Sequence, residues 1–166
     1  MTQVRGRPER HIRLARSRAL RLVPTSGVVD DFVLAVDQYR SRPIQLLPHD
    51  LGRGSPSGMW IATESTDYVV FPADASSSER TAIICHEVAH MVLGHQAALF
   101  DRTAQLVEMV APHVDPATAQ RFLTRHGYAE AMEADAEELA TALVARLARN
   151  AEALAVRCDA VSDRLR

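Results

Sequence analysis

Residues 86–90 read His-Glu-Val-Ala-His, two imidazoles four positions apart with a carboxylate directly after the first. On a helix, positions i and i+4 share a face one turn apart, so both rings can turn a nitrogen toward one Zn²⁺. Glu87 stands beside them without having to be a ligand, placed to take a proton from water as a general base. At this histidine and glutamate content, roughly 0.02 accidental matches to the pattern are expected. The competing reading is a buried helix carrying two hydrogen-bonded histidines and no metal.

Two histidines do not complete a catalytic zinc site, which takes three protein ligands and leaves one position open. Downstream stand His95, His113, His126 and the acids of the last helical segment. His95 follows His90 by five residues, a poor offset for sharing its helical face, and Gly94 between them reads as a helix stop. Glu130, Glu133 and Glu137 recur at steps of three and four, which puts them on one helical face. The plain reading is a solvated acidic face. The sharper one is a metal ligand accompanied by acids that orient the histidines. From the residues alone the third ligand stays open among these groups.

These side chains need elements to hold them. Ser76-Ser77-Ser78-Glu79 is a capping-box pattern, and Gly94 follows Leu93, so a helix is expected between them. Its residues are apolar nearly all round, which predicts a central, buried helix. Upstream, Ser26 is expected to cap a helix from Val28 to Tyr39 that stops before Pro43. A short strand is expected at Ile44–Leu47 and a loop from His49 to Ser57. Met59–Thr63 and Tyr68–Phe71 follow as an antiparallel hairpin able to align an extended peptide by strand addition. Downstream, Asp101 starts a helical stretch broken at Pro112, and Asp115-Pro116 starts another that ends at Gly127. A long helix then covers 129–165. Its stripe of Leu139, Leu143, Leu147, Leu154, Cys158, Val161 and Leu165 faces the core, and past Asn150 it is also suited to a seam between two copies in a homo-oligomer. The expected fold class is α+β: a mostly helical single domain, 1–166, with a small antiparallel sheet of about three strands beside the central H-E-x-x-H helix.

The chain has 166 residues and a formal net charge of −2, which gives it no global attraction to nucleic acid or membranes. It has no apolar run of membrane-spanning length and no secretory leader pattern, so a cytoplasmic location is expected. Cys85 and Cys158 form no disulfide framework. All 19 basic residues are arginine, a compositional bias. Residues 1–25 form a basic arm or helix containing Arg5, Arg7, Arg10, Arg13, Arg16, Arg18 and Arg21 against the single acid Glu9. No aromatic residues interleave for base stacking, which favours a packed helix over a nucleic-acid-binding arm.

Glu133-Ala134-Asp135-Ala136-Glu137-Glu138-Leu139-Ala140 resembles the E-x-x-A-D/N-x-F-A signature of ImmA/IrrE-type metallopeptidases. The resemblance covers about residues 27–145, including the order helix, strand, glycine-containing loop, hairpin and metal helix. It implies a gluzincin arrangement in which His86, His90 and Glu133 bind Zn²⁺ and Glu87 is the general base. It further implies a zinc metalloendopeptidase cleaving a regulatory, repressor-like DNA-binding protein encoded nearby, or a toxin-like component of a two-gene system. The chain departs from the pattern at Glu137, at Leu139 in the aromatic position, and in a long gap before Glu133 that makes 96–128 a helical insertion. Glu137 is then a candidate to orient a histidine. Tyr128 and His126 are candidates by position to stabilise an oxyanion, although structural roles are commoner for such residues. A catalytically silent zinc-binding module for protein interaction is the alternative of a different class, and the intact Glu87 argues against it.

Overall fold

The computed structural model describes residues 6–50, 57–95 and 130–164. The expected insertion at 96–128, with His113, His126 and Tyr128, lies outside the described residues. Four helices are described: α1 at Gly6–Leu22, α2 at Val29–Arg40, α3 at Ser77–Leu93 and α4 at Glu130–Arg164. Three strands accompany them, β1 at Ile44–His49, β2 at Met59–Ala62 and β3 at Asp67–Pro72. The described residues are thus mostly helical around one small sheet, an α+β domain. No helix among them is long and apolar enough to cross a membrane.

The sheet corrects one expectation, because it is mixed rather than antiparallel. Its order is β1-β3-β2. β2 and β3 form the expected antiparallel hairpin, with Trp60 opposite Val69. β1 lies parallel to β3, with Ile44 opposite Asp67. A buried carboxylate explains this pairing. Asp67 is fully buried at the start of β3. Its Oδ2 accepts from Arg40 Nη1 at the end of α2. Its Oδ1 accepts from Trp60 Nε1 at 3.0 Å and lies 3.1 Å from Arg42 Nε. Its backbone N–H donates to the Pro43 carbonyl at 2.8 Å. Arg42 also donates to the carbonyls of Thr63 and Glu64 in the hairpin turn. Breaking this set would leave buried charges unpaired, so the network pins the entry to β1 beside β3.

Helix α3 forms as its sequence predicts. Ser76 Oγ accepts from the Glu79 N–H, and Glu79 Oε2 accepts from the Ser76 N–H at 2.9 Å, completing the capping box. At the other end Gly94 takes a left-handed conformation with φ 74°. For α2, Val28 occupies the cap position with no side-chain cap bond. Ser26, the expected cap, instead donates to Asp31 at 2.6 Å. Ser41, with φ 52°, ends that helix before Pro43.

The core gathers on α3. Ile84, Cys85, Val88 and Ala89 are fully buried, in one cluster with Ala136, Leu139, Leu143 and Leu147 of α4. Ala15 and Ala19 of α1 and Phe32, Val33 and Val36 of α2 close the same cluster. Each large aliphatic side chain so buried contributes about 1.5–3 kcal/mol. The stripe on α4 divides near Asn150, whose Nδ2 donates to the Pro24 carbonyl at 2.8 Å. Leu147 before it is buried, and Leu154 beyond it is exposed.

Candidate metal centre

α3 presents His86 and His90 toward the first turns of α4 and Glu87 toward the Trp60 N–H of β2. The packing of Ala136 and Leu139 against α3 is what brings Glu133 over the histidines. His86 Nε2 and His90 Nε2 lie 3.0 Å apart. Glu133 Oε2 lies 3.4 Å from the first and 3.6 Å from the second. Among the described residues, His86, His90 and Glu133 form the group able to hold a metal ion. At Zn–ligand distances of about 2.0–2.1 Å, the edges of a tetrahedron measure about 3.3 Å. The three observed separations straddle that value, so the donors fit one tetrahedral ion that keeps a fourth position open.

The outer ring nitrogens have partners of their own. His86 Nδ1 lies 3.4 Å from Glu137 Oε2. His90 Nδ1 lies 3.0 Å from His95 Nδ1. A ring that gives its Nε2 lone pair to a metal carries its proton on Nδ1. With a metal bound, His86 would direct that proton at the Glu137 carboxylate, and His90 would donate to His95 Nδ1. His90 is fully buried. Burial, followed by the neighbouring His86 and His95, lowers its pKa to about 3, so the ring is neutral and its lone pair is available. Burial also lowers the pKa of His95.

Glu87 stands outside the donor group yet is buried. Burial pushes its carboxyl up to about 8, the charge on Glu133 adds to the push, and a hydrogen bond from the Trp60 N–H pulls the other way. A cation held by Glu133 would offset that repulsion. A carboxyl so placed has a proton affinity suited to exchange near neutral pH. Gly58 borders it. A Cβ at Gly58 would overlap the Ile83 side chain and sit 3.6 Å from Glu87 Oε1, so a side chain there would crowd the base.

Sequence reasoning named His86, Glu87, His90, Glu133 and Glu137, and the fold brings all five together. His126 and Tyr128 lie outside the described residues. His95 had been weighed only as a third ligand. It stands instead behind His90, because the left-handed Gly94 turns the chain so that the His95 N–H bonds the His90 carbonyl at 3.0 Å. The signal was the Gly94-His95 pair itself, since a left-handed glycine folds the next residue back over the last turn. Nothing in the sequence marks the Trp60 amide, which is placed by strand register. Comparison of the chain with protein-family models, with curated proteins and with solved structures gives no match.

Proposed function

We propose that this chain is a zinc-dependent endopeptidase. One observation carries the reading: His86, His90 and Glu133 converge as a three-donor group while a buried carboxylate, Glu87, stands beside it without joining it. A site that only bound a structural metal would have no use for that carboxylate, and would close its fourth position. A bound Zn²⁺ supplies Lewis acidity, which polarises a carbonyl and acidifies water. The protein supplies the rest. His86 and His90 hold their lone pairs inward because Glu137 and His95 occupy their outer nitrogens. Glu87, steadied by the Trp60 N–H, takes the proton of the attacking water and returns it to the departing amine nitrogen as the peptide C–N bond breaks. β2 is the edge strand next to Glu87, so an extended polypeptide can pair along it. The substrate class in this proposal is the one the ImmA/IrrE resemblance implies, a regulatory DNA-binding protein.

Two measurements test it. Metal analysis of the purified protein should give one zinc per chain, lost in His86→Ala, His90→Ala and Glu133→Ala. Incubation with a proteome-derived peptide mixture, read by mass spectrometry, should yield new termini with the native chain and none with Glu87→Gln, which keeps its zinc. Zinc retention without any Glu87-dependent cleavage of peptides or of the neighbouring gene's product would overturn the enzymatic reading and leave a binding module.

A further inference from the structure

A second concave site lies between α1 and α4, and none of His86, His90 and Glu133 lines it. α1 and α4 border an open cavity of about 600 Å³, lined by Arg13, Arg16, Arg21 and Arg146 together with Ser17, Leu20 and Glu138; Arg21 Nη1 donates to Ser17 Oγ at 2.7 Å. The α1 members fall at helical spacing on one face, so they converge rather than spread. Arg16 Nη2 donates to Glu138 Oε1 at 2.6 Å, which joins the two helices and orients one guanidinium. Glu138 therefore answers one of four arginines. The remaining surplus is local, because the whole chain carries a formal net charge of −2. Guanidinium groups drawn into one concavity repel each other, and an anion relieves that cost while gaining paired N–H donors.

We propose that this cavity docks an acidic polypeptide segment. Three features select that ligand. The arginines present forked donors matched to carboxylates. Leu20 gives an apolar patch between them for a side chain of the same segment. The volume suits a few side chains of a peptide. No aromatic residue lines the cavity, so there is no platform for stacking single-stranded bases. Glu138 directly follows Glu137, so a segment held here lies along the helix that also carries Glu133, within reach of the same bound protein. Docking needs neither zinc nor Glu87, and it stands apart from the peptidase proposal.

The test is fluorescence anisotropy on the full chain with a short labelled oligo-glutamate peptide at low and moderate salt. Binding is expected to weaken about tenfold in the double variant Arg13→Gln/Arg146→Gln. It should stay within about twofold of native in Arg18→Gln, an exposed arginine of α1 outside the cavity. All these side chains are exposed, and circular dichroism melting checks that the variants remain folded. Absence of oligo-glutamate binding, or equal loss in the Arg18→Gln control, overturns the proposal. A labelled DNA of matched charge that binds more tightly than the peptide, and loses affinity in the double variant, also overturns it and assigns the cavity to nucleic acid.

Discussion

At the scale of single residues, the buried Glu87 carries the most distinctive energetics. Its carboxyl sits at about 8 in the folded, metal-free protein against an ordinary 4.5. The sign follows directly. Below 4.5 both folded and unfolded chains hold the proton; between 4.5 and 8 the unfolded chain releases it while the folded chain keeps it. Metal-free stability therefore falls as pH rises through that window. Glu87→Gln cannot titrate, so in EDTA it should be more stable than native by roughly 1–3 kcal/mol at pH 8, with the gain vanishing near pH 4. Thermal melts of the two chains across that range measure the difference, and parallel curves would show that Glu87 is not held protonated. His95 makes a separate prediction. His95→Phe keeps the ring but removes the acceptor for the His90 Nδ1–H, and should weaken zinc affinity by about 10–100-fold in a chelator competition. His95→Asn restores an acceptor and should recover part of the loss. The His86–His90 pair of the candidate centre was readable from spacing, since H-E-x-x-H is a local helical pattern, whereas spacing left Glu133 one of several candidates for the third donor. The roles of His95 and the Trp60 amide were not readable, because one depends on a backbone reversal and the other on strand register.

At the scale of elements, legibility followed the range of the interactions. α3 was bounded correctly at both ends because its caps are written within a few residues, at Ser76–Glu79 and at Gly94. The hairpin was likewise visible as two apolar stretches with a polar turn. The parallel pairing of β1 with β3 was hidden, because it is set by Arg40, Arg42 and Trp60 meeting Asp67, groups separated by up to 27 residues. No periodicity encodes a four-group ionic joint. Its energetic weight is testable. Asp67→Ala leaves two guanidinium groups and an indole N–H facing a buried gap, and should cost about 3–5 kcal/mol in denaturant unfolding. Trp60→Phe removes one donor and trims the buried indole to a smaller ring, and should cost about 1–3 kcal/mol. Because β2 also carries the amide that meets Glu87, the Asp67 variant should lose the proposed zinc-dependent cleavage more steeply than stability alone predicts. Equal losses would separate the joint from the site.

For the molecule as a whole, α4 packs on α3 and α1 and also runs past the core it shares with them. Its first turn supplies Glu133 and Glu137, its middle fills the core with Leu139, Leu143 and Leu147, and Asn150 fastens it to the Pro24 carbonyl. Beyond that fastening, residues 151–160 are all exposed. The leucine stripe continues in sequence through this boundary, so the pattern could not say where core packing stops; only the end of α1 and the turn after it decide that. An exposed helical end buries little apolar surface and contributes little to stability, since isolated helices of that length are marginal in water. Ending the chain after Ala153 should therefore leave the melting temperature within about 2 °C of native and leave zinc affinity unchanged. Ending it after Val144 removes the buried Leu147 and the Asn150 bond, and should cost about 3–6 kcal/mol from the lost side chain and hydrogen bond together. Melting that depends on protein concentration in the full chain, and not in the chain ending at Ala153, would show instead that the distal helix is stabilised by a second copy. A large loss of stability in the chain ending at Val144, with none in the chain ending at Ala153, locates the limit of this packing at the Asn150–Pro24 contact.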